Sequence, residues 1–242
     1  MLDKVLNVFS AAIVAKKARG FLPVIPDIKC ISPKEGDLLR GRDPVQESIN
    51  LVSWGAPVLS VVTEDKHFGG SLNLLEAIAA KINVPILRKD FISDTAELHV
   101  TKKLGASAVL LIAAIMDEKT LTALYEQAIN IGLEPLVEVH TVKEMEFAKT
   151  LNPQLVGINN RNIIDLERDS GNADRTRLLA NDKPKNALLI SESGILSAKD
   201  AKQAVCAGAD AILVGTALWQ AADMKLMYHQ LREVSVQGEA NC

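Results

Sequence analysis

Long apolar runs are missing from this sequence of 242 residues. The most continuous one, residues 108–116, has nine residues, about half of the roughly 18 that a membrane-spanning helix needs. The apolar stretch near the start is short, lies between charged residues and has no small-residue cleavage site after it, unlike a secretory signal. We therefore expect no membrane segment and no secretory signal, and we predict a cytoplasmic protein.

Cysteine and histidine are also scarce. The three cysteines are an odd number without C-x-x-C spacing, which argues against a disulfide framework and a zinc site, so we expect reduced thiols at Cys30, Cys206 and Cys242. No two histidines have metal-ligand spacing, and we expect no metal site. His140 lies two residues after Glu138, so both side chains point the same way. The other histidines, expected on the surface or in loops, are His67, His99 and His229.

An excess of charge of one sign is absent as well. Lysine plus arginine total 27 against 30 for aspartate plus glutamate, a net charge of -3. Such a chain offers nucleic acid no basic surface, and we predict no nucleic-acid partner. There is also no Walker loop, no G-x-G-x-x-G after a strand and no G-x-S-x-G elbow. Nucleotide hydrolysis, nicotinamide chemistry and serine hydrolysis therefore have no basis in the sequence.

Eight short runs rich in leucine and β-branched residues recur along the chain. Most are apolar throughout, as strands of a parallel sheet covered on both faces should be. Their starts lie 21 to 33 residues apart, which leaves room for a strand, a crossover helix and two loops. Eight such units predict an α/β fold, a single (β/α)8 TIM barrel domain spanning residues 1–242 with a short N-terminal helical segment. The runs are residues 24–29, 58–63, 85–91, 108–115, 134–140, 155–161, 187–193 and 211–216.

Several segments between these runs carry helix start signals. A side-chain oxygen at such a position accepts hydrogen bonds from the unpaired amides of the first turn. After Asp117, apolar residues keep helical spacing as far as Gly132, which predicts a left-handed stop. Three capping boxes are predicted: Asp43 with Gln46, Thr141 with Glu144, and Ser197 with Asp200.

Polar side chains close five of the apolar runs, at the barrel end where such folds carry their function. Neighbours on a strand point to opposite sides, so Asp27 and Lys29 share one side, and if Lys89 faces inward, Arg88 and Asp90 do not. Crowded lysines and carboxylates can bind an anion and move protons, although ion pairs that only brace the barrel stay the alternative for any one residue. The residues are Asp27, Lys29, Arg88, Lys89, Asp90, Glu138, Asn159, Asn160, Arg161, Ser191, Glu192 and Ser193.

Two glycine-bearing turns follow the last two runs. One contains Ser193 and Gly194, and the other contains Gly215 and Thr216 ahead of a short helical stretch at residues 217–221. Loops at these two places form the recurrent phosphate site of (β/α)8 enzymes because their backbone amides are unpaired. Tight turning alone is the alternative for each glycine, but the placement of both turns favours phosphate binding.

Taken in chain order, these motifs resemble the indole-3-glycerol phosphate synthase family along almost the whole chain. The segments are residues 27–29 with 32–33, 59–71, 85–92, 134–139, 157–161, 191–195 and 214–218. The resemblance implies closure of the indole ring of 1-(2-carboxyphenylamino)-1-deoxyribulose 5-phosphate, with loss of carbon dioxide and water, in tryptophan biosynthesis. It implies a phosphorylated small-molecule substrate and no cofactor, with other enzymes of the pathway as candidate partners.

The resemblance also implies roles for single residues. Lys89 looks like the general acid for the ketone and Glu138 like the base that assists dehydration, with Lys29 holding an anionic group of the substrate and assisting as an acid. Asp27 stands where the family has a catalytic glutamate. Asn159 is counted with the catalytic residues and, with Arg161, would position the anthranilate end. The remaining residues would bind substrate: Glu192 and Ser193 near the ribulose chain, Phe68 on the aromatic ring, and Ser32, Gly194, Gly215 and Thr216 on the phosphate.

Three features depart from the family pattern. Asp27 replaces a glutamate and retracts the carboxylate by roughly 1 Å, and misplacement of that size can cost on the order of 10²-fold in rate. Pro26 removes a ladder hydrogen bond, so we expect the first strand to begin late or to bulge there. The segment before the first strand, which in the family helps to cover the substrate, is short. Two alternatives therefore stay open: a weakened, non-catalytic homologue that binds a phosphosugar, and another phosphosugar barrel enzyme such as phosphoribosylanthranilate isomerase.

Overall fold

A computed structural model describes residues 8–166, 168 and 173–235. Eight parallel strands form a closed barrel in the order β1-β10-β9-β8-β7-β6-β5-β4, and a small hairpin of β2 and β3 follows β1. The predicted (β/α)8 barrel is confirmed. The barrel strands are β1 (Val24–Ile28), β4 (Leu59–Val62), β5 (Ile86–Lys89), β6 (Ala108–Ile112), β7 (Glu134–Val139), β8 (Leu155–Asn159), β9 (Leu188–Glu192) and β10 (Ala211–Val214), and the hairpin strands are β2 (Ile31–Ser32) and β3 (Gly36–Asp37).

Helices alternate with the barrel strands. Most begin where a side-chain oxygen accepts a first-turn amide, as Thr141 does from Glu144 and Ser197 from Asp200. Asp43 also caps its helix. The Gln46 side chain, however, hydrogen-bonds to Asn50 and not back to Asp43, so the predicted role of Gln46 in this capping box was wrong. The helices are α1 (Val8–Ala18), α2 (Pro44–Ser53), α3 (Leu72–Ala79), α4 (Thr95–Lys103), α5 (Glu118–Asn130), α6 (Val142–Leu151), α7 (Asp174–Leu179), α8 (Ala198–Cys206), α9 (Thr216–Gln220) and α10 (Met224–Arg232).

Alternate residues of each strand face either the barrel interior or the helices. Inward residues such as Leu110, Leu136 and Ile190 form one apolar cluster that fills the barrel. Outward residues such as Val137 and Ile212 pack beneath the surrounding helices in two further clusters. Because both faces are covered, the strands lack the polar alternation of a half-exposed sheet, as the sequence predicts.

Helix α1 closes the amino-terminal end of the barrel. Phe9 and Ile13 are fully buried in the interior cluster. The carboxylate of Glu134, the first residue of β7, accepts the backbone N–H groups of Phe9 at 2.6 Å and Ser10 at 3.0 Å. The predicted N-terminal helix is therefore present. It packs at the end of the barrel opposite to the polar strand ends, so this helix does not cover them.

Three local expectations differ from the structure. The strand predictions run one to three residues too far at their carboxyl ends, and Ala113–Ile115 forms a 3₁₀ turn after β6. Pro26 neither delays nor bulges β1, because it lies where registered pairing passes from β10 to β4 and its missing N–H falls between the two runs. Cys30 is a free thiol, whereas Cys206 is disulfide-bonded. An odd number of cysteines excludes complete pairing but not one bond, so the expectation for Cys206 was wrong.

Within the described residues, no helix combines the length and the apolar character that crossing a bilayer requires.

Candidate active site

A polar layer caps the apolar interior at the carboxyl ends of the barrel strands. Glu138 on β7 and the terminal residues of β8 and β9, Asn159 and Glu192, are fully buried and follow inward-facing apolar residues on the same strands. Asn159 and Glu192 are direct neighbours across the two strands. The layer is completed by Asp27 and Lys29 from β1 and its end, and by Lys89, the last residue of β5. The structure thus brings together in this layer six of the twelve polar residues that the sequence places at strand ends.

Two adjoining cavities open onto this layer. One has a volume of about 300 Å³ and is mostly apolar, with Phe68, Phe91, Leu110, Ile112 and Ile163 among its walls. The other has a volume of about 370 Å³ and is formed by the turns after β9 and β10 together with Asp27 and Arg161. Lys29 and Lys89 line both cavities. The two ammonium groups therefore stand between an apolar compartment and a polar one.

The apolar cavity is shaped by the loop after β4. Glu64 accepts the backbone N–H groups of Lys66, His67 and Phe68 at 3.1, 2.8 and 3.0 Å, and its carboxylate also contacts the His67 ring. This loop holds the Phe68 ring 5.4 Å from Nζ of Lys29. A cation at that distance is attracted to the face of an aromatic ring, so Glu64 fixes both the wall of the cavity and the neighbourhood of Lys29.

The polar cavity is lined by the two turns predicted to bind phosphate. Ser193 and Gly194 both have positive φ angles, 60° and 70°, which bend the chain sharply after β9. Gly215 and Thr216 lie opposite, and a Cβ added at Gly215 would come 3.2 Å from Cβ of Asp27. The absence of a side chain at Gly215 therefore leaves space against the polar layer.

Asp27 is held from two directions. Its Oδ1 accepts a hydrogen bond from the Ser60 hydroxyl at 2.6 Å, and its backbone carbonyl accepts one from the Trp219 indole N–H at 2.8 Å. Ser60 is fully buried on the inner side of β4 and is the register partner of Asp27. The Asp27 side chain, which is shorter than a glutamate, is thus held against the barrel wall.

The end of β8 is fixed by a network behind the cavities. The Asn160 amide donates to the Ser191 hydroxyl and to the carbonyls of Glu192 and Ser193. Its oxygen accepts both the N–H and the hydroxyl of Thr176. These bonds tie the turn at Ser193 to β8 and α7, so Asn160 faces the scaffold and not the cavities.

Arg88 faces outward, as the inward orientation of Lys89 requires. Its guanidinium donates to the hydroxyls of Thr63 and Thr101, each at 2.9 Å, and pairs with Asp90 at 2.8 Å. Arg88 and Asp90 are therefore paired with each other and with the α4 side of the barrel, although Asp90 also contributes to the wall of the apolar cavity.

Not every predicted site residue lines the cavity expected for it. Ser32 lies in β2, where its hydroxyl accepts the N–H of Glu35, and it is not among the described residues that line the polar cavity. Arg161 lines the polar cavity and is not among the described walls of the apolar one with Phe68. Glu138, Asn159 and Glu192 lie beneath the cavities. Within the described residues no group of three His, Cys, Asp or Glu side chains is arranged to hold a metal ion.

The sequence does not predict the roles of two residues that support the site, Glu64 and Ser60. Ser60 acts through a tertiary contact with Asp27, whereas Glu64 accepts the N–H groups of its own loop, two to four residues later. Ser60 alternates with Val58 and Val62 on one strand, which is the single signal that it faces inward. His140, which the sequence places on the same side as Glu138, contacts that carboxylate: Nε2 lies 3.4 Å from Oε1.

Two ionisable groups near the site have displaced pKa values. Burial, reinforced by the Asp37 carboxylate, raises the pKa of the Cys30 thiol, so this cysteine is a poor nucleophile at neutral pH. Burial acts to raise the pKa of Glu144, but the hydrogen bonds from His140 and Thr141 outweigh it and hold that pKa below its ordinary value.

The chain is similar to known proteins over most of its length. A sequence model described as indole-3-glycerol phosphate synthase matches residues 5–231. The proteins named indole-3-glycerol phosphate synthase from Pyrococcus furiosus and Pyrococcus abyssi are 44% and 40% identical to this chain, over 82% and 88% of it and 86% and 93% of their own lengths. One of the same name from Staphylococcus aureus is 39% identical over 90% of this chain and 82% of its own length. The chain therefore belongs to the indole-3-glycerol phosphate synthase family.

Proposed function

We propose that this chain closes the indole ring of 1-(2-carboxyphenylamino)-1-deoxyribulose 5-phosphate, releasing carbon dioxide and water, in tryptophan biosynthesis. The observation that carries the proposal is the position of Lys29 and Lys89, which line an apolar and a polar cavity at once. A substrate with an aromatic ring at one end and a phosphate at the other fits that division. Its reacting carbons would then lie between the two lysines.

The two cavities divide the substrate between them. The aromatic ring packs on Phe68 in the apolar cavity, where Lys29 provides a cation for the carboxylate carried by that ring. The phosphate enters the polar cavity, where Ser193, Gly194, Gly215 and Thr216 offer hydroxyl and backbone donors and Arg161 offers a guanidinium. Holding both ends folds the flexible chain between them, so that the carbons that form the bond meet.

The chemistry needs an acid, a second cation and a base. Lys89 protonates the substrate ketone as the ring carbon attacks it and stabilises the developing alkoxide. Once carbon dioxide has left, the hydroxyl departs as water with a proton from Lys29. Glu138, at the bottom of the site, takes the proton whose loss restores aromaticity. Asp27, Asn159 and Glu192 complete the polar layer and orient the substrate chain.

Ser32 is the weakest member of this assignment in structural terms. Its oxygen accepts the N–H of Glu35, which leaves the O–H free to donate, but Ser32 is not among the described residues that line the polar cavity. Phosphoribosylanthranilate isomerase, the alternative barrel enzyme, is disfavoured by the family to which the chain belongs. Turnover by the wild-type protein would exclude the other alternative, a non-catalytic homologue that binds a phosphosugar.

A fluorescence assay of indole formation with the purified protein tests the proposal. We expect wild-type turnover, its loss in Lys89→Met, and little change in inorganic phosphate affinity or in thermal unfolding of that variant. Lys119→Met is the matched control, because Lys119 is exposed on α5 away from the cavities. Near-normal turnover of Lys89→Met would remove Lys89 as the acid, and substrate binding without wild-type turnover would favour the non-catalytic homologue.

We also propose a cytoplasmic location, where this biosynthetic substrate would be made. Association with other enzymes of the same pathway and the absence of a nucleic-acid partner stay predictions from the sequence.

A further inference from the structure

A chain of three ionisable side chains runs from the start of α6 to the polar layer. Glu144 Oε2 lies 3.3 Å from Nδ1 of His140, and Nε2 of His140 lies 3.4 Å from Oε1 of Glu138. The side chains of Glu138 and His140 are 0% and 8% exposed, and that of Glu144 is 19% exposed. The three groups thus connect the buried carboxylate with the rim of the barrel.

Glu144 is fixed by the helix start. Its Oε1 accepts the Thr141 hydroxyl at 2.8 Å and its Oε2 accepts the backbone N–H of His140 at 2.7 Å, while its own N–H donates to Thr141. The capping box recognised in the sequence therefore has a second effect beyond starting α6. It places a carboxylate against one nitrogen of the His140 ring.

Two carboxylates flank the His140 ring, one at each nitrogen. Nδ1 lies within hydrogen-bond distance of Glu144 at 3.3 Å, whereas Nε2 lies in contact with Oε1 of Glu138 at 3.4 Å without a hydrogen bond between them. Charged groups from other elements in the same layer are Lys89 of β5, Asp27 and Lys29 of β1 and its end, and Glu192 of β9.

We propose that His140 is a positioning residue: its ring, anchored by Glu144, packs against the Glu138 carboxylate and holds it in place. This inference rests on the proposed function, in which Glu138 acts as the base. Fixing Oε1 restricts the rotation of a group that must meet the substrate from below.

Imidazole ¹⁵N spectra test, without any turnover, the bridge formed by the His140 ring between Glu144 and Glu138. The chain has only four histidines, so His140→Gln identifies the His140 signals by their loss. We expect the His140 signals to move in Glu138→Gln and in Glu144→Gln, because each variant changes the group beside one ring nitrogen. His140 signals that stay unchanged in either variant overturn the proposed contact.

Kinetics test the role of the bridge. For His140→Ala we expect kcat to fall at least about tenfold with KM within about twofold, since a catalytic group is misplaced while the substrate contacts stay intact. Added imidazole should restore part of kcat.

The matched control is Asp117→Asn, which alters the N-cap of α5, a position that contacts none of Glu138, His140 and Glu144. It should leave kcat and KM unchanged. An unchanged kcat or failed imidazole rescue in His140→Ala refutes the positioning role while wild-type turnover stands. Absent wild-type turnover instead refutes the proposed function and the kinetic role with it, and the ¹⁵N spectrum still decides whether the bridge exists.

Discussion

Gly157 lies where any side chain would meet the carboxylate of Glu192. An ideal Cβ at Gly157 would lie 1.9 Å from Oε1 of Glu192, whereas its next nearest neighbour outside that carboxylate, Cδ1 of Leu136, would be at 3.5 Å. A comfortable carbon to oxygen contact is about 3.3 Å, so the Gly157→Ala change must displace that oxygen by about 1.4 Å. The carboxylate is the movable end of a side chain, and the backbone can stay in place.

This displacement should harm both activity and stability. Misplacing a catalytic or substrate-binding group by about 1 Å can cost on the order of 10²-fold in rate, and we expect a loss of that size in kcat/KM for indole formation. Crowding the fully buried Glu192 carboxylate should also lower the free energy of unfolding by about 1 to 3 kcal/mol. Urea denaturation followed by fluorescence of the two tryptophans measures this second quantity.

A double-mutant cycle isolates the contact. If Gly157→Ala acts by pushing Glu192, it should cost almost nothing further in a Glu192→Ala background, where the carboxylate is absent. Equal losses in both backgrounds would place the effect elsewhere. Full activity of the single Gly157→Ala variant would show that the position of Glu192 is unimportant for the reaction, against the role proposed for it.

Three further changes test other parts of the molecule. Asp27→Glu should leave kcat unchanged or raise it, because it restores the length found in the family, and a tenfold loss in steady-state assays would show a site adapted to aspartate. Arg88→Met should lower the free energy of unfolding by about 3 kcal/mol in urea titrations, since it strands Asp90 beside a buried network, and a change under 1 kcal/mol would contradict this. Glu144→Gln should destabilise the protein at pH 7, but the difference from wild type should begin to shrink below about pH 4.3, the unfolded pKa, and disappear as the pH falls through the lowered pKa of the folded protein, because the carboxyl stabilises only while ionised. A difference that stays constant down to pH 3 would refute that interpretation.

The sequence predicts the barrel well because its strands are buried on both faces. Leu110, Val137 and Ile190 need apolar surroundings whether they point inward or outward, so each strand is readable as a run without its neighbours. The ends are harder to read. Residues such as Arg161 and Ser193 follow their strands in polar turns, and the hairpin of β2 and β3 is too short to leave a pattern.

The polar layer was predictable to the extent that it depends on strand position alone. Lys89 and Asn159 end their strands and need no knowledge of contacts to be placed at the same face. The supporting residues are different in kind. Glu64 organises its loop by accepting three backbone N–H groups. His140 is fixed by the carboxylate of Glu144, four residues later, which the capping box at the start of α6 holds in place. A motif names the residues that meet the substrate, but only packing reveals which neighbours fix them, so the chemistry of this family can be read from strand ends while its precision depends on contacts between elements.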